Sequence, residues 1–161
     1  MSFTTKADVE IAALLDAWDQ KRGSRRLPPR SDFDFYECRR WLHHLSIVKI
    51  VEGPKIYLMT LHGTASVGYF KRDFTGQFLE DVFAERGMPW ALDAYRHAHQ
   101  TCEPVVMETE PFFLNGSARR MKRMILPLGQ DDRVEHLMAS IYPITGPITG
   151  PITAPITGPI S

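Results

Sequence analysis

Tyr57-Leu58-Met59-Thr60-Leu61-His62-Gly63-Thr64, running on through Ala65 to Lys71 and then Arg72-Asp73-Phe74-Thr75-Gly76-Gln77-Phe78-Leu79-Glu80-Asp81-Val82-Phe83, is the stretch on which the fold turns. Tyr57, Met59 and Leu61 alternate with Leu58, Thr60 and His62, the period of a strand with one packed face. Strict alternation points Met59 and Leu61 inward and His62 away from the interior. Gly63 then frees the backbone, and Thr64 can cap the next short helix. Beyond the turn at 72–76, Phe78, Leu79, Val82 and Phe83 recur at helical spacing. A strand, an abrupt turn and two short Phe-rich helices make the wall of a pocket.

Working outward, Ile47, Val48, Ile50 and Val51 form a preceding strand, and Glu52-Gly53-Pro54 folds it back as an antiparallel hairpin. After the helical wall, Gly87-Met88-Pro89 opens a longer helix, with Pro89 suited to its first turn. Ala91, Ala94, Tyr95, Ala98 and Cys102 give that helix a small-residue face able to lie close on a sheet, and Pro104 ends it. Three strand-like runs come next, Val105 to Phe113, Arg120 to Leu128 and Val134 to Tyr142, with Asn115-Gly116 and Gln130-Asp131-Asp132 as turns.

Upstream, Thr5 and Asp8 have capping-box spacing, and Ile11, Leu14, Leu15 and Trp18 fall on one helical face that Gly23 terminates. That stripe needs a cover, either the domain itself or a second copy, and a homodimer contact is the preferred reading. Arg25, Arg26, Pro28, Pro29 and Arg30 form a basic connection, read as a solvated linker. Asp34 and Glu37 begin a short helix in which Phe35, Cys38 and Leu42 share a face. The chain thus divides into an N-terminal helix and linker (1–30), a domain (31–142) and a tail (143–161) that repeats Pro-Ile-Thr-Gly. Regular proline forbids ordinary helix there, so the tail is expected to be an extended, flexible terminus.

At 161 residues the chain suits one domain with its own core. Nineteen basic residues balance nineteen acidic ones, which removes any whole-chain field toward nucleic acid or membrane. No apolar run reaches the roughly 20 residues of a membrane span. Asp8 and Glu10 interrupt any leader-like segment, and a cytoplasmic location is expected. Cys38 and Cys102 have no metal or redox spacing and read as reduced thiols.

Leu61-His62-Gly63-Thr64 and Lys71-Arg72-Asp73-Phe74-Thr75-Gly76 resemble the Leu-x-Gly-Thr strand end and the Arg-Asp-(Leu or Phe)-Thr-Gly turn of PAS-fold sensors, in particular small stand-alone bacterial ones. The resemblance extends from about the first helix to Tyr142. It departs at Lys71, where the group often has Gly. It implies an α+β fold, a PAS-like five-stranded antiparallel sheet with helices on one face, here preceded by an N-terminal amphipathic helix.

Met59, Leu61, Phe70, Phe74, Leu79 and Tyr95 are the residues expected to converge on one apolar volume, a ligand pocket or a packed core. Gly63, Thr64, Arg72, Asp73, Thr75 and Gly76 form the motif turn. Asp73 is placed to accept the backbone donors after it. Among the histidines, His43 and His44 are adjacent and His97 and His99 diverge on their helix, so no metal site is assigned. Some PAS domains hold haem through a His on the helix corresponding to 89–102. His99 is the candidate weighed, and the reading goes against it. Neither Cys38 nor Cys102 lies in the helical wall, which argues against a flavin adduct.

Glu80-Asp81 and Glu108, Glu110 read as solvated faces; the Arg119 to Arg123 run, whose members alternate between faces on a strand, reads as a solvated edge, with an anionic ligand or partner as the alternative. Neither a phosphate loop nor a nucleophile–base pair is recognisable, so no catalytic residue is assigned. The sequence therefore reads as a non-enzymatic PAS-type sensory or protein-interaction module of bacterial signalling that binds a small apolar ligand, with an unidentified protein as partner. The alternatives are a haem-bearing redox or gas sensor and a nucleic-acid-associated regulator using Arg25, Arg26, Arg30 and the Arg119 to Arg123 run.

Overall fold

The computed structural model describes residues 5–114 and 117–144. The Asn115-Gly116 turn and the repeat from residue 145 onward lie outside the described residues. Helix α1 (Lys6–Arg22) starts on a complete capping box: the Thr5 hydroxyl accepts from Asp8 N, and Asp8 accepts from Thr5 N. Gly23, with φ of 61°, closes it. Asp34 caps the single-turn helix α2 (Phe35–Cys38) by accepting from Glu37 N. Phe35, Cys38 and Leu42 border one hollow, as the sequence spacing predicts, though Phe35 itself is 73% exposed.

Strands β1 (Leu45–Ile50) and β2 (Tyr57–His62) form the first hairpin. Helices α3 (Thr64–Phe70), α4 (Leu79–Glu85) and α5 (Pro89–Thr101) come after it. Gly63, and not Thr64, is the cap residue of α3; the Thr64 hydroxyl instead meets His43 Nδ1 at 2.7 Å. Strands β3 (Val105–Leu114), β4 (Ser117–Gln130) and β5 (Arg133–Pro143) complete the sheet. Its order is β2-β1-β5-β4-β3, with every pairing antiparallel.

Helices α3, α4 and α5 cover one face of this sheet. The small residues Ala91, Ala94 and Ala98 are fully buried and let α5 approach the strands closely. Residues 123–129 and 137–142 are buried without alternation, as in strands covered on both faces. The second cover is α1. Ile11, Leu14 and Trp18 are buried in the same core as the strands, and Trp18 Nε1 donates to Pro127 O at 2.9 Å.

The apolar stripe expected at a dimer contact is therefore spent on the chain's own sheet. Of its four residues, only Leu15 remains partly open. The cause is geometric: the linker at 23–34 is long enough to bring the helix back across β4 and β5.

Candidate functional site

The hairpin of β1 and β2 carries one irregularity that sets the site. Ser46 pairs with His62 and Ile47 with Leu61, but Val48 pairs with Met59, so Thr60 is an extra residue in β2. Such a bulge shifts the side-chain alternation by one position. Met59 and His62 consequently face the same side and are both buried. Leu61 is turned to the opposite face, beside Cys38, Leu42, Leu45 and Ile47. The expectation for Leu61 and His62 is thus exchanged, and the exchange comes from the bulge.

On the helical face, Met59, Phe70, Phe74, Leu79 and Tyr95 line one cavity, joined by Ser46, His62, Ser66, Phe83 and Arg123. Its volume is about 20 Å³, room for roughly one water-sized group. Phe70 and Phe74 meet edge to face at 5.6 Å, and His62 stacks on Phe74 at 5.3 Å. Phe83 and Tyr95 close the other end at 5.9 Å. A larger groove of about 670 Å³ runs along the outside of α1 past Leu15 to Cys102 and Pro104. It is open to water and bordered by Asp19 and Arg22, which pair with each other, so the enclosed cavity is the better site.

The turn after α3 locks the wall to the strand. Lys71 adopts left-handed backbone at φ of 58°, which accounts for the tolerance of Gly at this position. The Asp73 carboxylate accepts from Thr75 N at 2.9 Å and from the Thr75 hydroxyl at 2.7 Å, and these bonds hold it below the usual carboxylate range. Phe74 N donates to His62 Nδ1 at 3.1 Å. Gly76 N donates to Met59 O and Met59 N to Gln77 O, so this segment covers the outer edge of β2. Arg72 reaches Gln77 and Glu85 at the surface and does not line the cavity.

His62 is neutral. Burial draws its pKa below the ordinary value, with Asp73 at 3.7 Å opposing in part. An Nδ1 that accepts from Phe74 N also leaves the proton on Nε2. Glu80 is not a solvated residue: its carboxylate accepts from Ile56 N and Tyr57 N and fixes α4 to the start of β2.

His99 does not reach the cavity. Its Nδ1 lies 3.0 Å from the Tyr57 hydroxyl, and burial raises that phenol to about 12. The haem ligand weighed in the sequence is thus engaged away from the cavity. Both thiols lie elsewhere as well, Cys38 with Sγ on Phe33 O and Cys102 with Sγ on Asp132 O. Among the described residues, no group of three or more His, Cys, Asp or Glu stands where it could hold a metal ion.

Sequence reasoning passed over Ser66 and took Arg123 only as a member of the basic run. Strand β4 lies inside the sheet and not at its edge, so its basic run is not solvated as a whole. Arg120 pairs with Glu108 and Lys122 with Asp8, while Arg123 is buried; the side chain of Arg119 lies outside the described residues. The signal available was parity, since Arg123 shares its face with Met121 and Ile125.

A family model described as PAS domain matches residues 7–141. A solved structure titled "Structure of an RNA-binding Light-Oxygen-Voltage Receptor" aligns with a TM-score of 0.50 at 17% identity, covering 70% of this chain and 33% of that one. The chain thus corresponds to a minor part of that receptor, and the likeness is one of fold. No curated protein matches the sequence.

Proposed function

The chain belongs to the PAS domain family, and from that premise we propose that it is a non-enzymatic sensory module whose receptor site is the cavity between the sheet and helices α3, α4 and α5. The observation that carries the reading is a nearly closed cavity behind a wall of two seven-residue helices. Helices this short are marginal by themselves and depend on packing. A ligand larger than the closed volume must displace them, so occupancy and wall position are linked. The signal then leaves through contact with a protein in bacterial signalling, for which a second copy of the chain is the first candidate.

Haem and nucleic-acid readings find less support. His99 is engaged by Tyr57 outside the cavity. Phosphate binding needs cations presented together and free. Arg25 instead pairs with Asp32, Arg26 with Asp132, Arg120 with Glu108 and Lys122 with Asp8. No helix among the described residues is long and apolar enough to cross a membrane.

Native mass spectrometry of the protein as isolated, joined to hydrogen exchange, tests the reading. A retained small molecule is expected, with slowed exchange across 64–85 relative to stripped protein. Absence of any bound mass, of ligand-dependent stabilisation and of self-association or partner capture would remove it.

A further inference from the structure

Arg123 is 3% exposed, yet it carries a charge that no carboxylate among the described residues balances. On the cavity side of β4 it stands opposite Met107 on one neighbouring strand and Ile141 on the other. Its guanidinium lies 5.8 Å from the Phe83 ring, and among the described residues its Nη1 has no hydrogen-bond partner. Among the described residues no carboxylate pairs with it, although Arg120 and Lys122 in the same strand each have one. Burial draws its pKa down, with Tyr95 opposing. A guanidinium nevertheless stays protonated at neutral pH, so the positive charge remains. Folding tolerates a buried cation of this kind only with compensation from elsewhere.

The rest of the cavity is arranged to give hydrogen bonds. Ser66 is 0% exposed and its hydroxyl is also without a partner among the described residues. His62 has its proton on Nε2, because Nδ1 accepts from Phe74 N. Ser46 and Ser140 add two further hydroxyls, that of Ser140 also without a partner among the described residues. Among the described residues no Asp or Glu lines the cavity, and its other side chains are aromatic and aliphatic.

We propose that the cavity is an anion-binding site in which Arg123 supplies the counter-charge and Ser66 a second donor, and that its ligand is a small carboxylate with a short apolar body. The inference deepens the sensory reading and rests on it. A carboxylate matches the planar fork of one guanidinium and brings one negative charge against one positive. A phosphate dianion would be left with unbalanced charge among Phe70, Phe74 and Phe83. Because the closed volume is about that of one water, the head group and its hydrocarbon body must press on α3 and α4.

Thermal melts of the full chain test this with acetate, butyrate, hexanoate and benzoate. Chloride and nitrate at equal ionic strength are the inorganic controls, and butyramide the neutral one. Saturable stabilisation by butyrate or hexanoate is expected, absent with butyramide. Arg123→Met should weaken it roughly a hundredfold, the loss expected for a charge-assisted pair, and Ser66→Ala about tenfold. Should Arg123→Met not fold, Arg123→Lys and Ser66→Ala carry the comparison, both weaker than wild type.

Carboxylates that leave the wild type unmoved, or that stabilise the Arg123 variants equally, overturn the inference. Equal stabilisation by chloride or nitrate reduces the site to one for inorganic ions and overturns the carboxylate assignment. A neutral compound that stabilises wild type and Arg123→Met alike sinks the anion site and leaves the sensory reading standing. Failure of every compound, with no bound mass in the isolated protein, sinks both.

Discussion

Lys122 and Arg123 are consecutive in β4 and serve opposite faces of the sheet: Lys122 Nζ lies 2.5 Å from Asp8 Oδ1 on α1, while Arg123 lines the cavity under α5. One peptide unit therefore joins the proposed receptor site to the helix that covers the back of the sheet. Asp8 belongs to both arrangements, as it completes the capping box of α1 and holds Lys122.

The double role of Asp8 makes its removal cost more than its exposure suggests. Asp8→Ala is expected to lose about 1–2 kcal/mol, the range of a helix cap. Lys122→Met should cost under about 1 kcal/mol, because a partly solvated ion pair contributes little. Urea unfolding of both variants measures the contrast. An Asp8→Ala loss no greater than that of Lys122→Met would deny the cap its importance.

Two glycines in adjoining elements should respond oppositely to alanine. A Cβ on Gly63 would stand 2.4 Å from His43 O and 2.6 Å from Leu45 O, both backbone atoms. Gly63→Ala must push the β1–β2 hairpin apart, at a cost above about 2 kcal/mol. Gly68, inside α3, would meet nothing within 4 Å, and Gly68→Ala should gain about 0.5–1 kcal/mol from helix propensity. Thermal melts of the pair decide the matter, and a tolerated Gly63→Ala would contradict the close approach.

Trp18 tests whether α1 is part of the core. Its ring is buried and its Nε1 donates to Pro127 O. Trp18→Phe keeps most of the packing and should lose about 1 kcal/mol, the worth of one hydrogen bond. Trp18→Ala should lose about 3–5 kcal/mol. If Trp18→Ala instead unfolded at the wild-type denaturant midpoint while changing subunit number, the helix would belong to a dimer interface after all.

The five strands, the helical middle and the terminal caps were readable from the sequence because each is local: alternation, Ala spacing on α5, Thr5 with Asp8, and Gly23. What was not readable depended on pairing. The extra residue at Thr60 exists only relative to β1, and it alone decides that His62 and not Leu61 joins Met59. The cover for Ile11, Leu14 and Trp18 depended on where a linker leads, which no periodicity records. Arg123 was read with its charged neighbours along the chain, whereas its environment is set by Met107 and Ile141 across the sheet.

His62 gives the fold a pH dependence of definite sign. Burial, the main cause, sets its folded pKa below the unfolded value of about 6.5, with Arg123 and Arg86 adding to the effect and Asp73 opposing it. Between the two values the unfolded chain binds more protons than the folded one, so stability rises with pH there. It is complete above about 6.5 and is lost as the pH falls toward the folded value. Burial lowers His44, His99 and His136 in the same direction, so all four histidines add to one slope. Protonation at Nδ1 also sets a donor against Phe74 N and breaks the bond that ties the wall to β2. Urea midpoints should therefore drop between pH 7 and pH 5 in the wild type and drop less in His62→Gln, whose side-chain oxygen can still accept from Phe74 N without titrating. A wild-type midpoint that rises on acidification, or an unchanged slope in His62→Gln, would show that this ring is not held neutral by the cavity.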